Sequence, residues 1–174
     1  MGARASTPPP ASPTVLKGRR VLVVEDEALI AMMLEDVLRE AGAEVLTAAT
    51  LGEALRLVEA AAAAGHGGGL SAAVLDIDLA GERVLPVADS LARLGVPFLF
   101  ATGYDAGCDR GRHGAAPVLH KPFDPHDLIA ALQALILSAP PRPREPGPTP
   151  SGGTSLGGKE PGRDGVLLRA MASR

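Results

Sequence analysis

Five short apolar runs, four of them closed by polar residues, lie too far apart along residues 21–121 to be joined as hairpins. Val21–Val24 ends at Glu25-Asp26, and Glu44–Ala48 is a weaker second run. Ala72–Leu75 ends at Asp76, Pro97–Ala101 at Thr102, and Val118–His120 at Lys121. Parallel strands need crossovers of a dozen or more residues, usually helices. Strands buried on both faces read as continuous apolar stretches. The runs therefore predict a parallel sheet with its polar strand ends gathered along one edge, where open α/β sheets bind ligands.

The intervening stretches carry helical periodicity. Ile30, Met33, Leu34, Val37 and Leu38 recur at i, i+3, i+4, i+7 and i+8, which predicts one apolar face. Asp26 or Glu27 opens that helix and Gly42 ends it. Thr50 is placed to cap the second helix, with Glu53 at the capping-box position. Leu51, Ala54, Leu55, Val58 and Ala61 form its inner face, and the glycines from Gly65 to Gly69 stop it. No Lys-Ser/Thr follows those glycines, so they read as a connector and not as a phosphate loop. A third helix spans about Val84 to Leu94, with Pro86 in its first turn and Val84, Val87, Ala88, Leu91 and Leu94 as its stripe. Asp124 caps the last helix, Pro125 takes its first position, and Leu128, Ala131, Leu132, Leu135 and Ile136 form its face.

The fold expected is α/β and flavodoxin-like: a doubly wound (βα)5 with a five-stranded parallel sheet in the order 2-1-3-4-5. Right-handed crossovers give that winding. Its switch point falls between strands 1 and 3, which bear Glu25-Asp26 and Asp76. The domain is assigned to residues 18–138. Residues 1–17, with four prolines, and the Pro/Gly-rich residues 139–174 are expected to be disordered tails.

Composition narrows the function classes. Hydrophobic residues make up 46% and aromatic ones only 2%, so the core is built from Ala, Val and Leu. A formal charge of −3 with no basic stripe argues against a nucleic-acid surface. No apolar run reaches membrane-spanning length, and no secretory signal pattern opens the chain. The single Cys108 rules out an internal disulfide framework and fits a reducing, cytoplasmic setting. Met1 to Ser6 matches the short myristoylation pattern, which is loose enough to read as a chance match.

The gathered strand ends define a chemistry. Glu25, Asp26 and Asp76 repel one another, so a shared site favours a cation. Hard oxygen ligands select Mg²⁺, which keeps several waters and favours partners bringing phosphate oxygens. A carboxylate such as Asp76 can attack phosphorus and form an acyl phosphate. Lys121 can neutralise the phosphoryl oxygens from the other side, and the Thr102 hydroxyl can donate to one of them. Each residue alone reads more simply as a cap or turn. The order of acidic pair, Asp, Thr and Lys, each after its own strand, is what points to phosphorylation.

Over about Arg20 to Ser138 the chain resembles the response-regulator receiver domains of two-component signalling. Val21–Glu27 resembles the family's first strand and acidic pocket. Asp76 matches the phosphoacceptor, Thr102 the switch hydroxyl, and Lys121-Pro122-Phe123 the Lys-Pro turn, whose peptide bond is usually cis. Phe98–Tyr104, reading Phe-Leu-Phe-Ala-Thr-Gly-Tyr, resembles a subclass that often works with HWE-type or related histidine kinases and can lack an output domain. The resemblance implies Mg²⁺ held by Asp26, Asp76 and the Asp78 backbone carbonyl, with Glu25 acting mainly through bound water. It implies a phosphoryl group taken from a histidine kinase or phosphotransfer protein, with Thr102 and Tyr104 as switch residues. It further implies a signalling domain that catalyses its own phosphorylation and dephosphorylation, and is not otherwise an enzyme. The resemblance also implies output to a downstream protein or a second copy through the face of helix 4, strand 5 and helix 5.

Two positions depart from the family pattern. Val118 stands where an aromatic is usual, and Asp78 where many members carry Asn or another residue. The segment Gly103–Ala115 carries four glycines in thirteen residues and no recurrent large apolar side chain. Each glycine costs up to about 1 kcal/mol relative to Ala within a helix. The fourth helix is therefore expected to be short, distorted or mobile. A rival reading takes Asp76-Ile77-Asp78 as the Asp-x-Asp of haloacid-dehalogenase-like Mg²⁺-dependent phosphatases. In those the nucleophile strand comes first and the acidic pair last, the reverse of the order here. A nucleotide-binding or purely structural flavodoxin-like domain leaves Lys121 and the acidic pair without a role.

Overall fold

The structure, a computed structural model, describes residues 15–64, 69–103 and 110–139. Both expected tails, apart from residues 15–17 and 139, lie outside the described residues, as do Gly65–Gly68, Tyr104 and Cys108. The elements run β1 (Arg20–Val24), α1 (Ala28–Glu40), β2 (Glu44–Ala48), α2 (Leu51–Ala63), β3 (Ala72–Asp76), β4 (Asp78–Leu79) and β5 (Glu82–Arg83). They continue with α3 (Leu85–Arg93), β6 (Phe98–Thr102), β7 (Val118–His120) and α4 (Pro125–Ser138).

The main sheet has five strands in the order β2-β1-β3-β6-β7, all parallel. This is the expected 2-1-3-4-5 arrangement. Alternation along each strand divides the core in two. On one face Leu22, Val24, Ala73, Leu75, Phe98 and Phe100 pack with Ala54 and Val58 of α2 and Val87, Ala88 and Leu91 of α3. On the other, Val21, Val23, Ala72, Val74, Leu99 and Ala101 pack with Leu34 and Leu38 of α1 and Leu128 and Leu132 of α4. Full burial of each such side chain contributes roughly 1.5–3 kcal/mol. Among the described residues no helix is long and apolar enough to cross a membrane.

Local signals explain the helix boundaries. The Thr50 hydroxyl accepts from the Glu53 amide at 3.3 Å, and the Glu53 carboxylate accepts from the Ala49 amide at 3.1 Å. The capping box thus closes one residue ahead of the cap itself. Asp124 Oδ1 accepts from the His126 amide at 2.8 Å, with Pro125 in the first turn of α4. Gly42 and Gly95, at φ 90° and 65°, let the chain turn after α1 and α3.

Several expectations need correction. Four helices lie among the described residues, and residues 104–109, much of the segment expected to form a short fourth helix, lie outside them. Residues 110–117 between β6 and β7 form turns, as Gly111, Gly114 and the missing apolar stripe dictate. The N-terminal boundary at residue 18 falls inside packed structure. Leu16 is buried in the core under α1, and its amide donates to the Ala41 carbonyl at 2.9 Å. Met33 is exposed, not inward: with Leu29 and Met32 it forms an apolar stripe on the outer side of α1, 82% exposed at Leu29. Leu94 is likewise exposed at the end of α3.

A further element was not foreseen. β4 and β5 pair antiparallel around Ala80-Gly81, with positive φ at both residues, 53° and 94°. A two-residue hairpin of this hand requires that geometry, and Asn-Gly normally signals it. Ala80 disguised the turn.

Candidate functional site at the carboxyl edge of the sheet

The parallel register sets the site. Val24 pairs with Leu75, and Asp76 pairs with Ala101. The residues one step beyond, Glu25, Asp26 and Thr102, therefore emerge beside Asp76 at one edge. Thr102 pairs with His120 of β7, and the Lys121 amide donates to the Thr102 carbonyl at 2.8 Å, which brings Lys121 to the same edge. The Lys121–Pro122 peptide bond is cis.

Carboxylate oxygens of Glu25, Asp26 and Asp76 lie within 4.8 Å of one another. Lys121 Nζ donates to Asp76 Oδ2 and to Glu25 Oε2, each at 2.6 Å. Asp76 Oδ1 accepts from the Asp78 amide at 3.3 Å. Glu25 is 1% exposed, and among the described residues its Oε1 has no hydrogen-bond partner. Burial pushes the Glu25 carboxyl above its ordinary range, although Lys121 pulls the other way. Burial also pulls the Lys121 ammonium down, but the hydrogen bonds and charges of Asp76 and Glu25 outweigh it and hold Lys121 above the ordinary lysine value.

The donor set fits a hard divalent cation. It offers oxygen ligands only, carries more negative charge than one lysine neutralises, and leaves a buried carboxylate oxygen unsatisfied. Asp78 contributes no side chain to this cluster. Its Oδ1 accepts from the Gly81 amide at 2.7 Å and so pins the β4–β5 turn. Thr102 is buried at the end of β6, and Tyr104 lies outside the described residues. Chemically, the edge presents a carboxylate between a cation site and an ammonium, which suits attack on an electrophile bearing several anionic oxygens.

Sequence reasoning passed over one further polar cluster, Asp89 of α3 with Arg112 and His113. Its only signal was an acidic residue on the polar side of the third helix, facing a loop whose path the sequence left undefined.

Comparison with known proteins agrees with this geometry. Residues 21–133 match the family model for the response regulator receiver domain. The chain is 38% identical over 134 residues to the transcriptional regulatory protein TcrA of Mycobacterium tuberculosis, covering 74% of this chain and 50% of that protein. It is 34% identical over 123 residues to PdtaR of the same species, covering 68% and 57%. The chain thus spans about half the length of these curated relatives. Among solved structures, SdrG from Sphingomonas melonis Fr1 is 43% identical with a TM-score of 0.57, covering 68% of this chain and 96% of that one. The response regulator TrrA from Thermotoga maritima, solved in complex with Mg²⁺ and beryllofluoride, is 28% identical with a TM-score of 0.57, covering 67% and 98%. Receiver domains bind Mg²⁺ in an acidic pocket and work with histidine kinases. With its five-stranded parallel sheet and the acidic edge around Asp76, this chain belongs to the response regulator receiver domain family.

Proposed function

We propose that this chain is a phosphoacceptor in a two-component relay, with Asp76 taking a phosphoryl group from a phosphohistidine. One observation supports this above all: an Asp76 carboxylate oxygen lies within 4.8 Å of those of Glu25 and Asp26, and Lys121 Nζ stands 2.6 Å from Asp76 Oδ2. An Asp76 oxygen attacks phosphorus, the phosphorus–nitrogen bond breaks, and the imidazole leaves with the electron pair. Water later cleaves the acyl phosphate and returns the carboxylate and inorganic phosphate. Asp26 and Asp76 would hold Mg²⁺, together with the Asp78 backbone carbonyl, and Glu25 would act through water. The ion supplies charge neutralisation for the phosphoryl oxygens. The lysine moves from its carboxylate partners onto one phosphoryl oxygen, and Thr102 donates to another.

The Asp78 carboxylate is held by the Gly81 amide, which favours the backbone role over direct ligation. The partner is a histidine kinase or phosphotransfer protein. The exposed stripe of Leu29, Met32 and Met33, on the first turns of α1 just past Asp26, suits a helical partner bringing its histidine to the site. The sequence Phe98–Tyr104 supports reading the chain as a member of the subclass associated with HWE-type kinases. The setting is cytoplasmic, and output passes to a downstream protein or a second copy through the β7–α4 side.

The test is labelling with acetyl phosphate or a cognate kinase in Mg²⁺. Asp76→Asn should abolish labelling and EDTA should block it. Asp78→Asn should keep labelling and change its decay rate. Full labelling of Asp76→Asn together with none of Asp78→Asn would show the acceptor to be Asp78. Turnover of generic phosphoesters would favour the phosphatase reading instead.

A further inference from the structure

Residues 110–117, the described end of the segment in which a fourth helix was expected, form a compact non-helical loop. Arg110 Nη1 donates to the Gly114 carbonyl at 3.0 Å and the Ala116 carbonyl at 3.3 Å. The His113 amide donates to the Arg110 carbonyl, and the Ala116 amide to the His113 carbonyl, each at 3.0 Å. Its polar tie to the neighbouring helix runs through one carboxylate. Asp89 Oδ1 on α3 lies 2.7 Å from His113 Nε2 and accepts from Arg112 Nε at 2.9 Å. A close approach accompanies this tie: a Cβ at Gly111, where φ is 53°, would stand 3.4 Å from Leu85 Cδ1 at the start of α3.

The same imidazole reaches the strand that ends in Thr102. His113 meets the Phe98 ring edge to face, with centroids 5.3 Å apart, and Phe98 meets Phe100 likewise at 5.6 Å. Phe98, Phe100 and Thr102 alternate along β6 and so share one face of the sheet. A continuous line of contacts therefore runs from the strand under Thr102 through two aromatic rings to His113, and across it to α3. A half-exposed ionic contact is marginal in strength. It can hold a loop closed and release it on a small displacement, which an all-apolar dock of the same area would resist.

We propose that Asp89, His113 and Arg112 form a latch between α3 and the loop before β7, and that loading of Asp76 is read out by a change in this latch. The proposal rests on the reading of Asp76 as phosphoacceptor. Displacement of Thr102 toward a phosphoryl group moves the end of β6, shifts the Phe100–Phe98 stack, and changes the angle at which His113 meets Asp89. The change thus also reaches the α3 side of the loop, by way of β6 and its aromatic side chains, alongside the output through the β7–α4 side.

The experiment uses the full chain with Mg²⁺ and beryllofluoride as the phosphoryl mimic, followed by NMR of the His113 imidazole nitrogens and by amide exchange over residues 110–118. In the wild type the His113 signals should move when bound beryllofluoride appears in the fluorine spectrum. Asp89→Asn and His113→Gln should each speed exchange of the loop severalfold without the mimic. Both should abolish the difference between loaded and unloaded protein while leaving labelling by acetyl phosphate in place. A purely structural contact would change the first readout and not the second. Unmoved His113 signals in a loaded protein, or the same loading-dependent exchange in Asp89→Asn as in the wild type, would overturn the latch and leave the phosphoacceptor reading standing. Failure of both the mimic and acetyl phosphate to load Asp76 would overturn the phosphoacceptor reading, and the latch with it.

Discussion

Lys121 lies directly against Asp76, its Nζ donating to Oδ2 at 2.6 Å although the two are 45 residues apart in the chain. The same ammonium also reaches Glu25. One cation thus holds together two of the three carboxylates, at the carboxyl ends of β1 and β3. In the unloaded protein it damps their repulsion. In the proposed transfer it would already be within one side chain's reach of the incoming phosphoryl oxygens.

Lys121→Ala is therefore expected to cost more in rate than in occupancy of the fold. Loss of a preorganised charge facing the transferring group should slow labelling by acetyl phosphate on the order of 10²-fold. Glu25 can relieve its own loss by protonating, because burial already pushes it upward. Far-UV circular dichroism should therefore remain native. A labelling rate within about twofold of the wild type would remove Lys121 from the chemistry.

Metal binding separates the acidic residues. Asp26→Ala removes one of three clustered carboxylates and should eliminate Mg²⁺ binding measured by calorimetry. Asp78→Asn should leave it nearly unchanged, since an amide oxygen can still accept from the Gly81 amide and keep the turn. Equal loss in both variants would mean that the Asp78 carboxylate enters the site.

Asp89 sets a pH dependence of definite sign. The hydrogen bond with His113, opposed by burial and reinforced by Arg112, holds its carboxyl below the ordinary carboxylate range. The next charge on its own helix, Arg93, is bonded to Ser90. A depressed carboxylate contributes stability that is present above its unfolded value and lost as pH falls through its folded one. The difference in urea midpoint between wild type and Asp89→Asn should therefore close progressively below about pH 4. A difference that persists undiminished well below that point would contradict the assigned pairing.

Much of this architecture is legible in residue order. Continuous apolar runs gave the parallel sheet because strands covered on both faces need apolar residues at every position. The residue ending each run gave the site, because register places strand ends side by side. What escaped had no periodic or motif signature. Leu16 enters the core beside the partly buried Val15, tied by a backbone bond to Ala41, in a stretch too short to show a period. The β4–β5 hairpin turns on Ala80 at positive φ, which Ala rarely adopts. The ties of Asp89 to Arg112 and His113 link residues 23 and 24 positions apart, across a glycine-rich segment whose path no helical pattern defined.

Helix α1 offers the sharpest test of the corrected packing. Periodicity put Met33 and Leu34 on one inner face, but adjacent residues are 100° apart, and on this helix Leu34 points at the sheet while Met33 turns outward. Leu34 is buried at 1% exposure against the β1 face of the sheet, while Met33 is 47% exposed beside Leu29 and Met32. Leu34→Ala should leave a cavity and cost about 2–5 kcal/mol in chemical denaturation. Met33→Ala should cost within about 0.5 kcal/mol, or even stabilise slightly through helix propensity. The two substitutions should reverse in rank when phosphotransfer from the cognate kinase is measured. Met33→Ala, alone or with Leu29→Ala, should raise KM for the kinase, while labelling by acetyl phosphate, which needs no docking face, stays unchanged. Equal destabilisation by both substitutions would return Met33 to the core, and an unchanged kinase KM in the double variant would remove the α1 stripe from partner recognition.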